Sequence, residues 1–279
     1  MKNILIPTDF SENSHNAIRY ALDYFADIPV NFFILHVAQI NHTNKLEETA
    51  SHFEDSSDTQ LVYNASALLT DEIKFCQNLS KNPHNNFYPL EGKTLLVETI
   101  RKQISENEID IIVMGTKGDS QSNQDEMGSH TYEVITKVKC PIMVIPENAH
   151  FNRIRNVAFI TDYNCIYRTR VINTLSEALQ LHKSPLRVLH IRAHKMSLTP
   201  AQTDNKGFLH YFFKDTKHSF HFLENKNIEA GIQDFVDTWD ISLVAIGAKN
   251  LNFIQRLMLR PTPGVINYHT EIPFFVLHE

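Results

Sequence analysis

Two stretches of this chain are near copies of each other, and that repetition limits its fold more than any other feature. Lys2-Asn-Ile-Leu-Ile-Pro-Thr-Asp9 is echoed by Arg155-Asn-Val-Ala-Phe-Ile-Thr-Asp162, each a short apolar run ending in Thr-Asp. Behind each comes a helical spacing of apolar residues: Ala17, Ile18, Ala21, Leu22 and Phe25 in the first copy, Val171, Ile172, Leu175, Ala178 and Leu179 in the second. Phe32-Phe-Ile-Leu-His-Val37 then matches Leu186-Arg-Val-Leu-His-Ile191. Further on, Ile109 to Gly115 matches Ile241 to Gly247, and Pro141 to Ile145 matches Pro273 to Leu277. The stretches Gly115–Pro141 and Gly247–Pro273 have the same length, so the two loops correspond residue for residue. Self-similarity of this kind means one structural unit made twice.

Each copy reads β-α-β-α-β-α-β-α-β. Strands alternating with helices predict an α/β fold, a parallel sheet covered on both faces through right-handed crossovers. The middles of the copies differ. Residues 41–60 form a polar, charged insertion in the first, expected to be a surface loop. The predicted domains are residues 1–147 and 153–279, joined by a linker from Glu147 to Arg153 that is short enough to hold them close. The last strand of each copy is short and apolar and would otherwise leave an open edge. Pairing of these two strands in an internal pseudo-dimer is therefore expected, and the tether favours it over contact with another molecule. Nothing in the sequence decides for or against a further homodimer.

Composition narrows the function classes. The 279 residues are 42% hydrophobic and 21% charged, with a net charge of −6. Such a charge balance offers no basic field for a general nucleic-acid partner. No apolar run approaches the roughly 20 residues needed to cross a bilayer, so no membrane partner is expected. Ile4 to Ile6 reads as a strand rather than a signal-peptide core. Cys76, Cys140 and Cys165 lack metal or redox spacing and fit reduced cysteines, so the expected location is cytoplasmic.

Chemistry concentrates behind the fourth strand. Gly115-Thr-Lys-Gly118, nine residues, and then Gly128-Ser129 lie between the apolar run Ile111–Met114 and a helical segment from His130 to Lys139. Glycines just beyond a strand's carboxyl end let backbone N–H groups approach a phosphate, and the following helix adds unpaired donors and a positive dipole end. Ser129 is the expected N-cap of that helix. Neither a Walker A loop nor a dinucleotide fingerprint fits this spacing.

With these motifs in place, the chain resembles the universal stress protein family in its tandem two-domain form. The resemblance rests on Pro7-Thr8-Asp9, Leu35-His36-Val37, Met114-Gly115-x-x-Gly118-x9-Gly128-Ser129 and Lys139-Cys-Pro-Ile-Met-Val-Ile-Pro146, and it covers essentially the whole chain. It implies two Rossmann-like (adenine nucleotide alpha hydrolase-like) domains, each with a five-stranded parallel sheet flanked by helices. It also implies ATP, with or without Mg2+, at the strand carboxyl ends. By position, Pro7, Thr8, Asp9 and Val37 would meet the adenine end, and Met114 and Gly115 the ribose. Lys117, Gly118, Gly128, Ser129, His130 and Thr131 would hold the phosphates. Read without the resemblance, Asp9 is a candidate helix cap, Lys117 an exposed loop lysine and Gly92 a turn glycine.

The chain departs from the family pattern twice. The loop Asp119–Met127 is polar and acidic, and Asp125 and Glu126 would repel a triphosphate unless Mg2+ or Lys117 intervenes. In the second copy Asn250, Arg260 and Pro261 replace Gly118, Gly128 and Ser129. A long side chain and a missing N–H at those places predict that the second copy does not bind ATP in the family manner.

Other constellations read as structure. His210, His218 and His221 form the densest histidine group, but His218 and His221 would face opposite sides of a strand, so no metal site is expected. His36 and His190, inside apolar runs, read as hydrogen-bonded core residues. The aromatic stretch from Phe208 to Phe222 reads as packing against the sheet and the other domain. No nucleophile elbow or catalytic triad order is present, and no catalytic residue is assigned. The expected function is a nucleotide-binding stress-response module, a switch or scaffold with one site in the first domain and a protein partner the sequence does not name. A slow Mg2+-dependent ATPase or phosphotransferase and a scaffold without nucleotide are the alternatives.

Overall fold

The computed structural model describes residues 1–38, 57–116, 128–164, 167–192, 197–224, 228–250 and 271–278. In the first half, β1 (Lys2–Pro7), β2 (Val30–Val37), β3 (Asn86–Gly92), β4 (Ile111–Gly115) and β5 (Ile142–Ile145) alternate with α1 (Glu12–Tyr24), α2 (Ser57–Leu79), α3 (Leu96–Glu106) and α4 (Ser129–Lys137). In the second, β6 (Val157–Ile160), β7 (Leu186–Arg192), β8 (His218–Glu224), β9 (Leu243–Gly247) and β10 (Phe274–Leu277) alternate with α5 (Thr169–His182), α6 (Pro200–Phe212) and α7 (Ile228–Trp239). A 3-10 turn, Ala248–Asn250, follows β9.

All ten strands join one sheet in the order β3-β2-β1-β4-β5-β10-β9-β6-β7-β8. Within each half the described pairings are parallel. The halves meet where β10 runs antiparallel to β5, with Phe274 opposite Val144, Phe275 opposite Met143 and Val276 opposite Ile142. Both strands are fully buried, as two short apolar runs covered on both faces should be. The order also explains Pro89: it lies on the outer strand β3, where a missing N–H breaks no ladder between two neighbours.

The sheet divides the core into two layers. One is built on Ile4, Ile6, Phe32 and Ile34 with α1 and α2 residues, and runs on to Val157, Phe159, Val188 and the α5 residues Ile172 and Leu175. The other is built on Leu5, Ile112, Val144 and Ile142 with Ile100 of α3 and Val134 of α4, and continues to Ala158, Val244 and Ile232 of α7. Alternate residues of β1 thus face opposite layers, as the strand period requires. Asn16 of α1 pins the connection between the halves, its Nδ2 donating to the carbonyls of Pro146, Glu147 and Ala149 at 3.1, 3.3 and 3.1 Å.

The aromatic stretch departs from expectation. Phe213 is buried, but Phe208, Tyr211 and Phe222 are 44%, 71% and 38% exposed. They lie on α6 and on β8, the outer strand farthest from the first half, so the first half does not cover them. Lys206 instead lies over the rings of Phe220 and Phe222 at 5.2 and 5.0 Å. The histidines behave as the strand alternation requires. His210 Nδ1 meets His218 Nε2 at 2.9 Å, while His221 packs against Phe235 and Trp239. Among the described residues no group of three His, Cys, Asp or Glu side chains could hold a metal ion. No described helix is long and apolar enough to cross a membrane.

Candidate functional site

The crossovers from β1 to β2 and from β3 to β4 leave β1 on opposite sides, so the carboxyl ends of β1 and β4 flank a topological switch point. Open α/β sheets form their ligand crevices there. The chain after β1 is tightly organised. Thr8 is buried; its N–H donates to the Leu35 carbonyl at 2.8 Å and its hydroxyl donates to Ser14 Oγ at 3.0 Å. That hydroxyl also accepts from the N–H of Phe10 at 3.0 Å. Asp9 is exposed, and its carboxylate accepts from the N–H and hydroxyl of Ser11 at 3.1 and 2.6 Å. Ser11 is the N-cap of α1, so Asp9 holds the cap rather than being it.

At the end of β2, Val37 is half-buried beside Gly92 of β3. A Cβ on Gly92 would come within 2.7 Å of Val37 Cγ2 and 2.8 Å of Thr99 Cγ2. Gly92 is therefore a packing glycine more than a turn glycine. Met114 is buried and Gly115 half-buried at the end of β4. Gly128 closes the loop that follows, its N–H donating to the Thr116 carbonyl at 2.8 Å.

The start of α4 corrects one expectation. Gly128, not Ser129, is the N-cap, and no side chain caps the helix. Ser129 already has helical geometry, so its hydroxyl belongs to the first turn, and Ser129 and His130 are exposed there. Thr131 is buried, with its hydroxyl donating to the Gly115 carbonyl at 2.8 Å. The structure therefore brings Pro7, Thr8, Asp9, Val37, Met114, Gly115, Gly128, Ser129, His130 and Thr131 to the carboxyl end of one half-sheet. Lys117, Gly118 and the acidic loop through Met127 lie outside the described residues, as do Arg260 and Pro261.

Beneath Thr8 lies a polar cluster that the sequence did not signal. Glu72 of α2 is only 5% exposed. Its Oε2 meets His15 Nε2 at 2.9 Å and its Oε1 lies 3.5 Å from the Thr8 hydroxyl. Burial and the Glu72 carboxylate push the nearby Cys76 thiol up to about 12. Cys76 is thus a buried, unreactive thiol. One glutamate among several polar residues of α2 carries no mark in sequence, because only tertiary packing buries it.

The equivalent end of the second half is closed differently. Tyr163 is fully buried and stacks on His190 at 5.0 Å between centroids. Gln202 and Asn205 of α6 donate to the carbonyls of Asp162 and Tyr163 at 2.9 and 2.8 Å. The Thr161 hydroxyl is hydrogen-bonded to Tyr167. Asp162 accepts from the Asn164 backbone N–H at 2.9 Å, a local turn, while Arg168 is the N-cap of α5.

The sequence profile described as the universal stress protein family matches residues 1–146. The chain belongs to that family. A search of curated proteins gives no match in sequence. The fold is shared with a universal stress protein from Archaeoglobus fulgidus, at 15% identity and a TM-score of 0.67, over 99% of this chain and 98% of that one. It is also shared with a functionally unknown protein from Pseudomonas aeruginosa, at 12% identity and a TM-score of 0.57, over 99% of this chain and 92% of the other. Likeness over the full length puts both halves of this family member, and not only the matched first one, in a known arrangement.

Proposed function

We propose that the chain is a stress-response module of two units, residues 1–147 and 153–279, in which only the first binds an adenine nucleotide. The observation that carries this reading is the start of α4. A glycine N-cap with no side-chain cap leaves first-turn N–H groups without an internal partner, directly behind the switch-point strand β4. The residues present fit the nucleotide. Gly128, Ser129 and His130, with Lys117 and Gly118, would hold the phosphates, and Thr8, Asp9 and Val37 would meet the base. Bound ATP would supply a polyanion that bridges the first turn of α4 and the end of β1, and this bridging is the natural basis for a switch. In the second unit the buried Tyr163 and the α6 side chains hold the chain just past β6, the counterpart of the Thr8–Asp9 segment, in keeping with a half that does not bind nucleotide.

Titrating the full chain with ATP, with and without Mg2+, tests the reading. Gly128 has φ −58°, so an arginine fits its backbone without strain and Gly128→Arg probes the phosphate approach rather than the fold. Charge-assisted hydrogen bonds to phosphate are each worth about 1.5–3 kcal/mol, so affinity should fall at least about tenfold. Unchanged affinity in that variant would move the phosphates elsewhere. No binding by the wild-type chain would leave the scaffold reading, and turnover with Mg2+ the enzyme one.

A further inference from the structure

The ten-stranded sheet ends on β3 at one side and on β8 at the other, and the two ends are finished differently. The Ala38 N–H donates to the Gly92 carbonyl at 3.3 Å, and the Leu186 N–H to the Lys217 carbonyl at 2.8 Å. A parallel ladder alternates from there along each strand. Phe87, Pro89 and Glu91 therefore turn their backbone groups away from β2. His218, Phe220, Phe222 and Glu224 turn theirs away from β7, toward a side where no further described strand lies.

The outward side of β3 has a proline at its centre. Pro89 lies opposite Ile34, and its missing N–H denies any added strand a central donor. Ile34 and Val188 are equivalent positions of the repeat, and opposite Val188 stands Phe220. Where one outer strand carries a guard, the other carries an aromatic ring. The exposed aromatic residues gather at this same edge. Phe208 and Tyr211 stand three apart on α6, which packs on β8 through His210 and Lys206 against Phe220. Phe222 is engaged by Lys206, Tyr163 and His190 and is still exposed.

The order of residues along β8 says what fits against it. Laid antiparallel on a second copy about a twofold axis at His221, the strand sets Phe220 opposite the second copy's Phe222. The same register sets His218 opposite the second copy's Glu224. All four residues turn their backbone groups outward, so they form hydrogen-bonded pairs with no slip of register. Aromatic pairs and pairs of an acidic with a basic residue are those that stabilise antiparallel strands. His221 meets its own copy on the axis. Burial and the Arg187 charge lower its ionisation, so two neutral rings approach there at neutral pH.

We infer that the outer edge of β8 pairs with the same edge of a second copy of this chain, antiparallel about a twofold axis at His221. Two ten-stranded sheets then run on as one. The α6 helices of both copies lie on the same face of the joined sheet, where Phe208 and Tyr211 flank the Phe220–Phe222 pairs. Self-pairing about a twofold axis closes the assembly at two chains. The molecule uses the same device within one chain, where β5 and β10 close two edges by antiparallel pairing. The edge belongs to the second half and pairing is measured without nucleotide, so the inference does not rest on the nucleotide reading.

Sedimentation velocity of the full chain over a concentration series tests the inference, and a reversible dimer should appear. Phe220→Pro gives β8 the residue found at the equivalent place on β3 and should weaken the dimer at least about tenfold. Glu224→Lys, at an exposed position that leaves the fold intact, sets a lysine against His218 and should weaken it about tenfold. His221→Cys reads the register. Only residue 221 faces its own copy, at a Cα separation of about 4.5 Å that a disulfide can span. Mild oxidation should therefore cross-link that variant into dimers. Leu223→Cys faces Ser219 of the second copy and should stay at the background set by the chain's own three cysteines. A chain that is monomeric at its highest soluble concentration would overturn the inference. So would a dimer weakened by neither Phe220→Pro nor Glu224→Lys, or equal cross-linking of His221→Cys and Leu223→Cys.

Discussion

At the end of the first strand of each half, a threonine, an aspartate and an aromatic residue follow one another, and the aromatic has positive φ: 63° at Phe10, 57° at Tyr163. A non-glycine residue there carries on the order of 1–3 kcal/mol of strain unless its surroundings hold it. In both halves the threonine hydroxyl two residues earlier accepts the strained residue's N–H at 3.0 Å. A histidine ring also covers each aromatic, and its Nδ1 bonds the threonine carbonyl at 2.9 Å. The histidines were legible as hydrogen-bonded residues because each interrupts an apolar strand, although only His190 is buried and His36 is half-buried. Their aromatic partners were not, since nothing in an Asp-Phe or Asp-Tyr step announces a left-handed backbone. The hydroxyl of Tyr163 is buried with no partner among the described residues, and burial pushes its ionisation far up. Tyr163→Phe keeps the ring and removes an unpaired polar atom, so stability should hold or rise by about 1 kcal/mol. Urea denaturation decides it, and a loss above 1 kcal/mol would reveal a partner for that hydroxyl.

Among the described residues element identity was readable because periodicity and burial agree, while the fourth helix read in the second copy, between β9 and β10, lies outside them. The strands inside the sheet are largely apolar, only the outer strands β3 and β8 mixing polar residues in, and the helices carry one apolar face, so the sequence already implied alternating strands and helices. Contacts between elements were less readable. Gly92 looked like a turn residue, yet its role is to let Thr99, in the first turns of α3, and Val37 of β2 close over β3. Glu72 gave no sign of being drawn against His15 and Thr8. Ser129 looked like the cap of α4 because serine is a good cap, but the loop closes one residue earlier, through the N–H of Gly128. Side chains at strand and helix ends are set by what packs on them, which local sequence does not encode. A test follows at Gly92. A methyl group there must displace Val37 or Thr99, so Gly92→Ala should cost about 1–3 kcal/mol of stability. If Val37 meets the base, ATP affinity should fall as well. Unchanged thermal stability would mean that the three elements yield without cost.

On the scale of the molecule, one antiparallel strand pair turns two parallel half-sheets into a single ten-stranded sheet and removes two open edges at once. The internal repeat made that pairing legible. It did not reveal what packs on either side of the seam, and two histidines lie there. His182, at the end of α5, packs on Tyr24 of the first half with ring centroids 4.3 Å apart, and on Phe151 of the connection at 5.8 Å. His278, just past β10, hydrogen-bonds the Ile135 backbone of α4. Burial lowers both to about 4; Asp27 partly offsets the effect at His182, and Arg170 adds to it at His278. In the unfolded chain both return to about 6.5. Between these values the unfolded state binds protons that the folded state refuses, so stability rises with pH across that range. The stabilisation is fully present above about 6.5 and is lost as pH falls through about 4, on the order of 3 kcal/mol for the well-buried His278. Thermal unfolding of the full chain at a series of pH values should therefore show a decline between about pH 6.5 and 4. His182→Gln combined with His278→Gln should flatten that decline even if it lowers stability at neutral pH, because neither glutamine titrates. A decline of the same steepness in the double variant would place the acid-sensitive groups away from the seam.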